Sequence, residues 1–221
     1  MFARQDVVLM NKNGYASIEM GVRHITSSDP VLAGIIESIG KCTLVGRSDY
    51  YASLVGTIIN QQLSGSAADA IYSRMVGELS GSLEPLKVLE LTEEQFRRSG
   101  VSRSKERFIR ELSEKFAGNA GFLRDVGCLP DGEVVSVLTE INGIGRWTAE
   151  MFMIFSLGRL DVLPLTDAGF RRAVSRFYLN GRAADDGDII EISRKWEPFR
   201  SIAVWYLWRA IDGEPKGTIQ G

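Results

Sequence analysis

Apolar positions recur three and four residues apart along most of this chain, the spacing of one face of an α-helix. Leu32, Ile35, Ile36 and Ile39 form such a stripe. Asp29-Pro30 before it reads as an N-cap with proline at the first helical position, and Gly40 after it as the stop. Ser48 or Asp49 opens the next helix, through Tyr51, Leu54, Val55, Ile58 and Ile59. A third follows the Ser64-Gly65-Ser66 break, with Ala67, Ala70, Ile71 and Met75 on one side. The same periodicity predicts helices over roughly 84–90, 93–99, 104–117, 131–141, 146–157, 168–179, 187–195 and 197–211. Strand signals are confined to the first 25 residues, where Asn13-Gly14 could turn a short hairpin. No internal repeat or low-complexity tract interrupts the pattern. The predicted class is all-α.

Composition narrows the chemistry. Of 221 residues, 44% are hydrophobic and 24% charged, enough apolar surface for a core and too much for a disordered chain. No apolar run approaches the ~18 residues of a membrane span, and the N-terminus lacks a secretory apolar segment. Two cysteines, Cys42 and Cys128, exclude a disulfide framework and a four-thiolate cluster. One histidine, His24, excludes a His-based metal site and leaves little room for a Ser-His-Asp triad. An intracellular protein without a transition metal is expected.

A net charge of −2 argues, taken globally, against nucleic-acid binding. Its distribution changes that picture. Arg97, Arg98, Arg103, Lys105, Arg107 and Arg110 face only Glu106 within residues 95–110, and Arg171, Arg172, Arg176 and Arg182 precede a run of acids at Asp185, Asp186 and Asp188. Segregated charge of this kind gives either a basic face or ordinary solvated helix surfaces.

The most informative stretch runs from Leu138 to Ala149 and contains Gly143-Ile-Gly-Arg-Trp-Thr-Ala149. One helix ends near Ile141, Gly143 and Gly145 make a tight turn, and a second helix begins at Arg146. The amides of Gly143, Gly145 and Thr148, at the positive end of that second helix, are candidates to meet a phosphate oxygen in a sequence-independent contact. The carbonyls of Thr139, Ile141 and Ile144, left over at the end of the first helix, are candidates to hold a structural Na+ or K+. Twenty residues past Trp147, Asp167 follows an apolar segment and precedes another helix, where it reads as an N-cap with a fixed carboxylate direction.

These residues resemble the helix-hairpin-helix DNA glycosylase superfamily, in which such a hairpin is followed about twenty residues later by an essential Asp. More narrowly, the chain is similar to the compact 3-methyladenine DNA glycosylases of the AlkA and yeast Mag type. Asp29-Pro30, Ile58-Ile-Asn-Gln-Gln-Leu-Ser64, Gly143–Ala149, Asp161-Val-Leu-Pro164 and Trp196-Glu-Pro-Phe-Arg-Ser201 carry the likeness, which covers residues 27–212. It implies two helical lobes with a cleft between them, one of residues 45–157 and one of 27–44 plus 158–221, after an N-terminal extension of residues 1–26. The first 25 residues are too short for the β-rich domain of the longer bacterial members.

The resemblance also implies an activity and its residues. The protein would flip an alkylated purine of the 3-methyladenine and 7-methylguanine class out of duplex DNA, hydrolyse its N-glycosidic bond and leave an abasic site. Asp167 would stabilise the oxocarbenium-like sugar. Trp147, with Met151 one turn later, and Trp208 would line the base pocket, where an indole face attracts a cationic purine. Gln62 would plug the vacated space and Ser64 would stand beside it in the minor groove, with Arg97, Arg98 and Arg103 as weaker backbone contacts. Bifunctional members carry a Schiff-base Lys where Trp147 stands, so water is the expected nucleophile. The iron–sulfur branch is excluded because no cysteine follows Cys128. A monomer without a required cofactor is expected, on DNA in the cytoplasm, nucleoid or nucleus and away from membranes. Two other readings stay open: a glycosylase for neutral lesions such as ethenoadenine or hypoxanthine, and a non-catalytic DNA-binding protein using the same hairpin.

Overall fold

The computed structural model describes residues 12–44, 46, 49–63, 65–118 and 122–212. Among these residues all regular elements are helical. In chain order they are α1 (Lys12–Ser28), α2 (Pro30–Ile39), α3 (Tyr50–Asn60), α4 (Gly65–Glu78), α5 (Pro85–Glu90), α6 (Glu93–Ser99), α7 (Arg103–Gly118), α8 (Phe122–Gly127), α9 (Asp131–Thr139), α10 (Arg146–Phe155), α11 (Ala168–Tyr178), α12 (Asp186–Ser193), a 3-10 turn (Arg194–Trp196) and α13 (Arg200–Asp212). The described residues divide into two compact units, one of residues 49–157 and one joining 12–46 to 158–212.

The first unit is built around α3, which packs on α4, α7 and α10. Its apolar residues recur so closely that Leu54, Val55, Ile58 and Ile59 are all fully buried, each stabilising the fold by about 1.5–3 kcal/mol. Asp49 caps its start by accepting the Ala52 amide at 2.8 Å. Buried hydroxyls pair with each other, Tyr51 with Ser113 at 2.7 Å and Ser53 with Ser156, which offsets the cost of burying them. Periodicity did not reveal α8, a six-residue helix whose Val126 is buried.

In the second unit α13 packs against α1, α2 and α11, burying Ile202, Val204, Tyr206 and Leu207. The expected turn at Asn13-Gly14 does not form; both residues lie in the first turn of α1. Tertiary packing explains the difference. Ile18 and Ile25 are buried on one face of α1, and Gly21 stands between them where a Cβ would come within 2.5 Å of Ile202 and 2.7 Å of Phe199. That close approach suits a helix, and it places residues 12–26 within the second unit rather than outside it.

Asp29 organises the same unit. Its Oδ1 caps α2 by accepting the amides of Val31 and Leu32 at 3.0 and 3.2 Å. Its Oδ2 accepts the Tyr178 hydroxyl at 2.6 Å and the Trp196 indole N–H at 2.7 Å, with Lys195 Nζ at 3.3 Å. Complete burial opposes its ionisation, yet these donors and the Lys195 charge hold the carboxyl below the usual Asp value.

Candidate active site

The turn between α9 and α10 is shaped by one obligatory glycine. Gly143 has φ +83, and a Cβ there would lie 2.2 Å from the ring of Phe108 on α7. Only a residue without a side chain satisfies both conditions. Gly145 differs from expectation: its φ is −89, so no left-handed backbone requires glycine there. An added Cβ would meet nothing within 4 Å, and what this glycine contributes is open surface at the start of α10.

Three side chains, one just past the end of α3 and two on α7, hold the turn. Beside Phe108, Gln61 Nε2 donates to the Gly143 carbonyl at 2.8 Å and to Thr148 Oγ1 at 3.2 Å. Glu111 accepts the Asn142 backbone N–H at 3.1 Å and its side-chain amide at 2.9 Å, which keeps the Glu111 carboxyl below its ordinary value. Thr148 is buried and sits in the first turn of α10, where helix geometry leaves amides without an intrahelical acceptor. Of the carbonyls expected to be unsatisfied, that of Ile141 accepts the Ile144 N–H at 3.0 Å, because the turn closes on itself. The Thr139 hydroxyl is bonded back to the Val135 carbonyl at 2.8 Å. Trp147 is partly exposed on α10, and Met151, one turn later, is buried.

Gln62 follows the end of α3, exposed and left-handed at φ +60, a conformation that costs a non-glycine residue about 1–2 kcal/mol. Lys105 Nζ donates to the carbonyls of Ile59 and Gln61, both at 2.8 Å, so this member of the basic cluster caps α3. Burial lowers its pKa. Ser64 lies outside the described residues. Arg97 and Arg98, candidates to meet the DNA backbone, form surface ion pairs with Glu94 and Glu78. Arg171 and Arg182 are likewise paired, with Asp186 and Asp188.

Asp167 caps α11, as its position suggested. Its Oδ1 accepts the Phe170 amide at 2.6 Å and also the indole N–H of Trp208 at 2.8 Å. The two residues separated by 41 positions therefore meet, and Trp208 contributes a donor as well as a ring. Gly169 sits against both, since a Cβ there would be 3.3 Å from Oδ1 and 3.5 Å from Trp208 Cδ1. The chain leading to Asp167 is clamped. Arg200 forms a two-pronged pair with Asp161, at 2.8 Å on each prong, the Ser201 amide donates to the Leu160 carbonyl at 2.9 Å, and Ser201 Oγ accepts the Val162 amide at 2.9 Å. Arg171 adds a bond to the Leu165 carbonyl at 2.9 Å. Thus the blocks 161–164 and 196–201 form one device. Gln61, Phe108, Glu111 and Arg200 escaped sequence reasoning as supports; a glutamine next to the turn and an Arg-Asp pairing of quoted blocks were the available hints.

Among the described residues every regular element is helical, and a glycine turn precedes an aspartate that caps a later helix. Residues 55–198 match the HhH-GPD superfamily of base excision DNA repair proteins, and the chain belongs to that superfamily. Its sequence is 26% identical over 201 residues to the alkylbase DNA glycosidase-like protein mag2 of Schizosaccharomyces pombe, covering 88% of this chain and 94% of that protein. It is similar in structure to a 3-methyladenine DNA glycosylase, Mag1, of the same yeast in complex with abasic DNA: TM-score 0.78, 27% identity, 87% of this chain and 97% of that one. A DNA-3-methyladenine glycosidase from Bacillus halodurans gives TM-score 0.75 at 37% identity, covering 86% and 88%. No helix among the described residues is long and apolar enough to cross a membrane.

Proposed function

We propose that this protein is a monofunctional DNA glycosylase that hydrolyses the N-glycosidic bond of alkylated purines in duplex DNA and leaves an abasic site. The observation that carries the reading is the carboxylate of Asp167, fixed by two donors on one oxygen at the start of an eleven-residue helix. A purine alkylated at N3 or N7 already bears positive charge and departs as a neutral base, so the demand falls on the sugar. A preoriented carboxylate stabilises the developing oxocarbenium ion without reorganising. Trp147 offers the cationic base an electron-rich face, worth about 0.5–2 kcal/mol. It also occupies the place of a Schiff-base lysine, which leaves water as the nucleophile.

On DNA, the hairpin amides of Gly143, Gly145 and Thr148 take a phosphate, while Gln62 fills the space of the flipped nucleotide. The carbonyls of Thr139, Ile141 and Ile144 are neutral hard donors that suit Na+ or K+ rather than a transition metal, and the Ile141 oxygen has a second lone pair beyond its bond to Ile144. Such an ion would add positive charge for the phosphate. The working form in this reading is a monomer on a duplex containing an alkylated base.

Base release from duplexes carrying 3-methyladenine, 7-methylguanine, ethenoadenine or hypoxanthine tests the proposal. Release of the two methylated purines is expected, with strands breaking only after alkali or heat and no adduct trapped by borohydride. Faster release of the neutral lesions would move the substrate class, an Asp167-dependent borohydride adduct would make the enzyme a lyase, and binding without any release would leave a DNA-binding protein.

A further inference from the structure

Two features of the first unit have no part in the chemistry above. The side chain of Gln61 points to the hairpin, and Lys105 turns from the basic cluster to the end of α3. Gln61 immediately precedes Gln62, and both of its ends are held. Its side-chain amide reaches Gly143 O at 2.8 Å and Thr148 Oγ1 at 3.2 Å, 82 and 87 residues away. Its backbone carbonyl, which flanks the left-handed Gln62 peptide, takes Lys105 Nζ at 2.8 Å, and the same ammonium takes the Ile59 carbonyl at 2.8 Å.

We infer that Gln61 and Lys105 are positioning residues that tie the Gln62 turn to the hairpin, so that a phosphate gripped at the hairpin sets where the Gln62 side chain stands. This rests on the reading of Gln62 as the plug. The peptide between residues 61 and 62 is the hinge of the arrangement: the ψ of Gln61 and the φ of Gln62 are the torsions on either side of it. A cation bridging two carbonyls fixes the orientation of that peptide. The bond to Gly143 fixes its distance from the hairpin turn, which Phe108 and Glu111 hold independently of Gln61. Without Lys105 the Gln61 carbonyl loses its donor, the peptide rotates, and Gln62 relaxes toward the ordinary right-handed region. The hairpin would then still bind phosphate, and the plug would no longer arrive in register. Grip and probing are in this way one mechanical element.

The test uses the full chain with Lys105→Met and Gln61→Met, each alone and combined with Gln62→Ala. Affinity is measured for an undamaged duplex and for the same duplex bearing a tetrahydrofuran abasic analogue. The parent should prefer the abasic duplex, and either methionine substitution should cut that preference about tenfold, Lys105→Met doing so while moving undamaged-duplex affinity by less than about twofold. In the Gln62→Ala background the same substitutions should change the preference by less than about twofold, because their effect passes through Gln62. Lys105→Arg, which keeps a cation with several donors, should restore most of it. If Lys105→Met does not fold, Lys105→Gln keeps an amide donor without the charge and should give an intermediate loss. An unchanged preference, or an equal loss with and without Gln62, would overturn the inference while leaving the plug standing. No preference in the parent would overturn the plug reading and the inference with it.

Discussion

The two units solve the problem of fixing a functional group in different ways. In the hairpin the working groups belong to the backbone, and they are presented by leaving side chains out. Gly143 lies on the Phe108 ring, and the braces come from elsewhere in the unit as a neutral amide and one carboxylate. Around Asp167 the working group is a side chain held directly by a backbone amide and an indole N–H, and the segment that carries it is held by charged groups, the Arg200–Asp161 pair and the Arg171 bonds, with the buried Asp29 centre in the same unit. A backbone site is vulnerable to an added carbon atom, whereas a side-chain site is vulnerable to a lost charge or donor. The two should therefore fail under different substitutions and different conditions.

Asp29→Ala should produce the largest loss of stability. It strips the partner from Lys195, leaves the Tyr178 hydroxyl and Trp196 N–H unsatisfied and uncaps α2, and should cost about 3–5 kcal/mol in denaturant unfolding. The pH dependence follows from the depressed folded pKa of Asp29. Its stabilisation is present above the unfolded value of about 4 and is lost as pH falls through the lower folded value. Asp29→Asn should flatten that acid limb. An unchanged limb would show that the charge-built unit does not depend on this carboxylate.

Gly143→Ala should come next. A Cβ at positive φ costs about 1–2 kcal/mol, and the Phe108 clash adds to it, with duplex affinity falling in parallel. Phe108→Ala should remove the 2.2 Å ring contacts and leave the 2.8 Å contact with the Cβ of residue 108 and the conformational part, so a double-mutant cycle on unfolding free energies should show favourable coupling. Strict additivity would mean that the hairpin is not pressed onto Phe108.

The smallest effect is expected from Arg200→Met. The Asp161 pair is partly exposed and screened, so the loss should be near 1 kcal/mol. Base release should slow a few-fold without a change in duplex affinity, since the clamp holds the segment carrying Asp167. A change in affinity with unaltered release would assign the clamp to DNA binding instead.

What was legible in the sequence is what acts over short distances. Helix stripes, the caps at Asp29, Asp49 and Asp167, and the hairpin glycines are signals spread over a few residues. The second oxygen of Asp29, which meets partners 149 and 167 positions away, lies outside any such window. So do the braces from Gln61 and Glu111, and the packing that makes α1 a helix despite Asn13-Gly14. Gly145 was legible as glycine but not for its reason. Its backbone is extended, and the residue is notable for the space above it rather than for a turn.

The central claim is that one preoriented carboxylate, and no covalent enzyme intermediate, drives base release. Single-turnover release of 3-methyladenine by the parent and by Asp167→Asn, with duplex affinity measured on both, addresses it most directly. Asparagine keeps the capping geometry and removes the charge. The account predicts a fall of at least about a thousandfold in release, on the order of 4 kcal/mol in the barrier, with affinity and unfolding midpoint unchanged. Release within tenfold of the parent would contradict it and leave Asp167 as a helix cap.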